Sequence, residues 1–521
     1  MKKIFLTLAI ATTLFSCSDF LDQPNEDFSN NPFIDNINPA QRLATAQLNL
    51  LNNEAISFNS FGNKMSYAYG LNSGFTSSDV AYNYNFTSAS YEALWENTFL
   101  YTDNFQDIID AETKFPEYGN HFAIAKIMKA QGIEKIISLY GDAPYSEAFK
   151  SSISQPKYDD DKQIIQNLFT LLDDARDEIY AATDATVVPG AEDIMFNGDM
   201  LEWIKYANTL ELRMLVRLSN TTDATLVALR TQRFANLEQN FIDADVAYNP
   251  GFTGATAGQS NPIFRVYGVN VAQTAWLSGN RANAAGIFMA GVINGTNNTS
   301  TLTTGVVDPR RTRMFGTISG TVVGSVQGTE TSIAKSRLSS FVHGYTQATA
   351  DGDAYANGTE RDAYAMLAAE SYFLQAEAIQ RGYMAGDAQS MFEQGVTASF
   401  AFYSRGFGDL EGLLAPLNPT TYLSAVSAKN GLGWAGSTDK INCIITQKYL
   451  ALAQWSGIEP YFDMLRTGYP AAPLPQGVSQ TTRPKRLIYP GSEYSSNSSN
   501  VPSVSQDELF SNNAKTPFYL Q

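Results

Sequence analysis

Three features of the sequence predict a mainly α-helical fold. Apolar residues recur at three- and four-residue steps through several long segments, the pattern of a helix with one buried face. Capping and stop residues fall at the ends of those segments. Small residues such as Ala365, Ala368, Ala369, Ala376 and Ala378 cluster in one of them, as close helix–helix packing requires. Between the periodic segments lie stretches rich in Gly, Thr, Ser and Asn, read as long loop-rich insertions into a helical scaffold. Loops beyond about 12–15 residues in a compact domain usually carry function or move.

Taken in order, residues 1–16 form an address. Lys2 and Lys3 precede the apolar run Ile4–Phe15, which is too short for the roughly 20 residues that span a bilayer as a helix. The run ends Leu14-Phe15-Ser16-Cys17, and a small residue directly before a cysteine resembles the lipobox of bacterial lipoproteins. That resemblance implies cleavage before Cys17 and acylation of Cys17; an ordinary secretory signal with an incidental cysteine is the alternative. Removal of 16 residues leaves 521 − 16 = 505 and takes away two lysines, so the formal charge moves from −17 to −19. Two or more acyl chains anchor stably where one does not. Residues 17–40 read as an acidic tether, similar to the start of many Bacteroidetes lipoproteins exported to the cell surface.

Residues 41–521 read as one domain. Helices are predicted over 88–112, 121–139, 163–181, 199–219, 363–381 and 440–456. The second closes at Tyr140-Gly141-Asp142-Ala143-Pro144. In 199–219, Asp199 is an N-cap with Glu202 three residues on. The segment 363–381 ends at Arg381-Gly382, a helix stop. The scaffold is thus placed at about 41–250 and 361–470, and the main insertion at about 250–360. A second excursion spans 405–440, and an irregular proline-rich segment runs from 470 to 521.

Composition excludes several functions. A formal charge of −17 and a pI near 4.6 do not suit a nucleic-acid binder, which needs a basic face. Two cysteines and two histidines leave no Cys/His zinc set and no disulfide framework. There is no P-loop and no G-x-S-x-G elbow. His121 opens a predicted helix and His343 sits in a Gly/Ser/Thr-rich stretch; both are read as structural or solvated. In Asp351-Gly352-Asp353, Tyr355 stands where a calcium loop needs another oxygen ligand. Asp159-Asp160-Asp161 is read as a solvated charge run. With 52 acidic residues, no carboxylate pair is singled out for glycoside hydrolysis. No catalytic residue, metal site or cofactor is expected.

Several strings, in order along the chain, resemble the SusD/RagB family of Bacteroidetes outer-membrane nutrient-binding lipoproteins. They are Cys17–Asp22, Leu139–Ala148 (LYGDAPYSEA), Met200–Leu210 with Arg213 (MLEWIKYANTL), and Ala369–Ala378 (AESYFLQAEA). Gln447–Tyr449, Gly457–Tyr461, Arg466–Pro470 and Pro484–Tyr494 follow. On their own chemistry these residues are read as scaffold. Glu370 and Glu377 are expected to pair with basic groups such as Arg213 or Arg466, since buried acids are rarely left alone.

The resemblance implies a tetratricopeptide-like helix-pair scaffold and no catalysis. It also implies a lipid-anchored place on the outer membrane facing the exterior, an oligosaccharide ligand, and a partner TonB-dependent transporter of the SusC type. A peptide ligand on the same scaffold and a surface glycoside hydrolase are the alternatives. The sugar faces of an oligosaccharide stack on aromatic rings and its hydroxyls pair with polar side chains. Aromatics in polar, non-helical surroundings are therefore the candidate binding residues: Tyr82 and Tyr84 with Asp79, then Arg265, Tyr267 and Trp276, and Trp434.

Overall fold

A computed structural model describes residues 37–521 apart from 77, 271, 273, 345–357 and 406–414. Cys17 and Asp351–Asp353 lie outside the described residues. In the first half the helices are α1 (Pro39–Asn53), α2 (Asn59–Met65), α3 (Val80–Asn83), α4 (Glu92–Asp110), α5 (Gly119–Tyr140), α6 (Asp161–Tyr180), α7 (Met200–Arg217) and α8 (Ala224–Asn236). Among the described residues the middle carries short ones: α9 (Phe264–Tyr267), α10 (Ser278–Ala282), α11 (Ile287–Ile293), α12 (Arg311–Met314) and α13 (Ser340–His343). Long helices then return with α14 (Ala368–Gln380), α15 (Ala388–Ser404), α16 (Pro419–Val426), α17 (Lys440–Leu452) and α18 (Ile458–Thr467), before the short α19 (Gly491–Ser496).

The fold is mainly helical, as the periodicity predicts. Asp199 caps α7, its side chain accepting from the backbone N–H groups of Leu201 and Glu202 at 3.1 and 3.3 Å. Gly141 stops α5 and Gly382 follows α14, both at positive φ, a conformation open to glycine at little cost. Three boundaries differ from expectation. Residues 363–366 are a strand, so α14 starts only at Ala368, whose N–H donates to Asp245 at 2.9 Å. The segment 405–440 contains α16. Helix α15 was not legible, because Gly395 and Ser399 interrupt its apolar stripe. They do so where α14 comes close: a Cβ on Gly395 would lie 2.8 Å from the ring of Phe373.

Among the described residues six strands of two to four residues form three two-stranded pairs: β1 (Tyr69–Leu71) with β5 (Asn283–Ala285), β2 (Ala143–Pro144) with β3 (Tyr158–Asp159), and β4 (Val246–Tyr248) with β6 (Ala363–Met366). All are antiparallel, with Gly70 opposite Ala284 in the first pair. Among the described residues no helix is long and apolar enough to cross a membrane.

Helices α1, α4, α5 and α6 pack in succession, with α7 against α5 and α6, and α14, α15 and α17 form a second stack. Helix α5 is buried on every side from Asn120 to Tyr140, as expected of a helix at the centre of a bundle. One apolar core joins α1 and α4–α7 to the C-terminal segment through Leu487, Tyr489 and Phe518. The other joins the middle segment to the later helices, with Phe288, Ile293 and Phe341 beside Phe400 and Tyr449.

Between the helices runs a buried ionic network. Arg213 meets Glu370, Arg466 meets Glu377 and Asp463, Lys448 meets Asp463, and Arg217 meets Glu134 and Glu459. Glu370 and Glu377 each have a basic partner, as expected from the sequence, and the partners are Arg213 and Arg466 respectively. The charge run before α6 is solvated only in part: Asp160 is exposed, Asp159 is half-buried and Asp161 is buried. Asp159 accepts from the N–H groups of Tyr145 and Ser146 at 3.0 and 2.7 Å, and Asp160 caps α6.

Candidate functional site

Four separate segments converge on a cavity of about 930 Å³. They are the exit of β1 at residues 72–75, the approach to α10 and α10 itself at 276–281, residues 312–318 from α12 onward, and 334–343 leading into α13. Its volume lies in the range of ligand-sized clefts.

Two asparagines hold the walls together. The amide of Asn72 donates to the carbonyl of Arg281 at 3.1 Å, and its oxygen accepts from the N–H groups of Ser73 and Lys335 at 2.8 and 2.9 Å. Asn280 donates to the carbonyl of Tyr267 at 2.8 Å and accepts from Arg337 Nη1 at 3.1 Å. The N–H of Gly316 donates to the carbonyl of Arg337 at 2.9 Å, docking the 312–318 wall on the 334–343 wall. Gly279 is required at its place: a Cβ there would lie 2.4 Å from the carbonyl oxygen of Val266.

Trp276 stands half-buried in the wall, its backbone bridged to Val269. The guanidinium of Arg337 lies 5.2 Å from its ring centroid, and His343 meets the ring edge-on at 4.9 Å. Burial, with Arg361 and Arg337 nearby, pushes the His343 imidazole down to about 3, so it is neutral at physiological pH. Phe75 lies under the guanidinium of Arg281, 5.9 Å away. Arg281, Arg313, Lys335 and Arg337 all line the cavity, and no Asp or Glu is among its described lining residues.

Of the residues singled out in the sequence, the cavity wall includes Trp276. The others sit elsewhere. Tyr82, Tyr84 and Tyr267 are each about 1% exposed. Tyr84 packs between Phe86 and Phe510, and Tyr267 against Tyr69. Asp79 caps α3, accepting from the Ala81 N–H at 3.0 Å, from Tyr91 at 2.5 Å and from Lys64 at 2.5 Å. Burial raises its carboxyl, and Lys64 together with the hydrogen bonds from Tyr91 and the Ala81 N–H more than offsets this, leaving it below the usual range. Arg265 is half-buried on α9 and reaches the carbonyl of Gly258 at 3.4 Å. Trp434 packs on Phe392 at 5.6 Å, with Lys440 over its ring at 5.5 Å.

Sequence reasoning missed Phe75, Arg281, Arg313, Lys335 and Arg337. A signal was present: residues 250–344 hold seven basic and two acidic residues, a local net of +5 in a chain of −17.

Other groups have structural explanations. His121 is buried, 3.2 Å from Glu192, and burial lowers its pKa. Carboxylate oxygens of Asp142, Asp160 and Asp161 lie within 4.8 Å of one another. Burial and the neighbouring Asp142 push Asp161 up to about 8. It also accepts from the Phe518 N–H at 2.8 Å, which fixes the chain end.

Residues 30–490 match the model of a SusD-like family described as starch-binding, associating with outer membrane. Similar solved structures include a chitin-binding SusD homologue from Flavobacterium johnsoniae, 21% identical over 88% of this chain and 94% of that one, with a TM-score of 0.67. A SusD homologue from Bacteroides fragilis is 20% identical over 92% of this chain and 98% of that one, with a TM-score of 0.66. An outer-membrane protein from Bacteroides vulgatus is 19% identical over 93% and 100%, with a TM-score of 0.67. At these identities the likeness is one of fold. No curated protein matches the chain.

Proposed function

The chain belongs to the SusD-like family, and from that premise we propose that it is a non-catalytic binding protein that captures oligosaccharide at the cell surface. In this reading Cys17 carries the lipid that tethers it to the outer membrane, facing outward. The captured glycan passes to a partner TonB-dependent transporter of the SusC type.

The cavity at Trp276 is the observation that carries the reading. It offers an aromatic wall and a ring of amide, hydroxyl and guanidinium groups, the combination that recognises a sugar's apolar faces and its hydroxyls. The family description and the chitin-binding structural relative point to the same ligand class. A hydrolytic role would need two carboxyl groups flanking the scissile bond, and the described lining contributes none.

Calorimetric titration of the purified protein with oligosaccharides tests the reading. Saturable binding without release of reducing ends supports it, and product formation abolished by one carboxylate substitution would replace it with an enzyme. Membrane fractionation of Cys17→Ser tests the anchor, with release into the soluble fraction expected. Co-purification with a large outer-membrane barrel tests the partner.

A further inference from the structure

We propose that the cavity selects an anionic oligosaccharide, one bearing carboxylate or sulfate groups, over neutral glycans. The inference rests on the reading of this cavity as the glycan site and goes further by naming the ligand's charge.

The charged residues in the described lining of the cavity are all cations, opposite in sign to the net charge of the protein as a whole. Arg281, Arg313, Lys335 and Arg337 line the cavity, with no carboxylate among the described lining residues. Among the described residues no Asp or Glu comes within 4.0 Å of Arg281 or Lys335 to form an ion pair. The local excess is built into the chain. The two acids in residues 250–344 are Asp308 and Glu330; neither is among the described lining residues, and Asp308 is bound to the buried Arg310 at 2.7 Å.

Like charges gathered in a cleft repel one another and focus a positive potential outward, which raises the local concentration of anions. Arginine suits planar oxyanions, because its fork of N–H donors matches carboxylate and sulfate geometry. The hydroxyls of a neutral sugar both donate and accept, and the described lining offers their donor side no carboxylate. Neutral His343 adds no further charge. The aromatic faces of Trp276 and Phe75 favour a saccharide ring over an extended acidic peptide.

The test is calorimetric titration of the intact protein with four probes: an oligogalacturonide, a chondroitin sulfate oligosaccharide, maltohexaose and chitohexaose. At least one anionic probe is expected to bind about tenfold or more tighter than both neutral ones, a difference of about 1.4 kcal/mol. Its affinity should fall as salt rises, since added ions screen the attraction. Whether the carboxylated or the sulfated probe wins identifies the anion. Arg281→Gln and Lys335→Gln should each weaken that probe severalfold with unchanged melting temperature, both positions being exposed or half-buried. Neutral probes binding as tightly, with dependence on Trp276, would overturn the charge inference and leave the glycan reading intact. Binding of none of the four would overturn both. A polyglutamate peptide binding as tightly as the anionic sugars would overturn selection for a saccharide.

Discussion

The guanidinium of Arg213 and the carboxylate of Glu370, 157 residues apart in sequence, meet through two hydrogen bonds of 2.8 and 3.0 Å in the interior. They join α7 to α14 and so fasten the first helical stack to the second. A buried pair of this kind contributes little over a well-packed apolar pair, but a lone survivor is expensive. Glu370→Gln should therefore lower stability by about 3–5 kcal/mol. The double variant Arg213→Met, Glu370→Leu should recover much of that loss. Denaturation midpoints for the three proteins check it, and equal losses in the single and double variants would refute the pairing argument.

Helices α2 and α18 cross at two glycines. A Cβ on Gly62 would sit 2.3 Å from the backbone of Gly457 and Ile458, and backbone on both sides cannot yield as a flexible side chain would. Gly62→Ala should cost about 1–3 kcal/mol or more, the range for overpacking. A melting temperature within a degree of the parent would show that the helices separate freely.

His343 makes stability depend on pH. Its folded pKa, about 3, lies below the unfolded value of about 6.5. Between these two values the unfolded chain binds a proton that the folded chain refuses. Stability is therefore lost as pH falls through this window, by up to about 1.4 kcal/mol per pH unit. His343→Gln should flatten the slope of unfolding free energy between about pH 6 and 4. An unchanged slope would mean that buried carboxylates alone set it.

Trp276 and Tyr84 should separate binding from folding. Trp276→Ala is expected to weaken oligosaccharide binding about tenfold, or about 1.4 kcal/mol, with a small change in melting temperature. Tyr84→Ala removes a core ring and should cost about 3–5 kcal/mol of stability, leaving the affinity of the folded fraction intact. The reverse pattern would move the site away from the cavity.

These residues show how far the sequence could be read. Glu377 was expected to pair with a basic group such as Arg213 or Arg466 because a carboxylate on an apolar helix needs a partner, and Arg466 is that partner. Tyr82, Tyr84 and Trp276 looked alike in sequence, each an aromatic among polar neighbours. Only packing distinguishes them: Phe86 and Phe510 enclose Tyr84, and Trp276 stands in a cavity wall.

By itself the sequence determined the helical class, the stops that end α5 and α14, the cap that starts α7, and the residues whose chemistry demands burial with a partner. These follow from periodicity and local hydrogen bonding, which act over a few residues. The tertiary structure decided where a ligand can go. The cavity's cations come from residues 281, 313, 335 and 337, and their charges act together only because Asn72 and Asn280 tie distant segments into one wall. Net charge, a sum over the whole chain, carries no record of that local reversal.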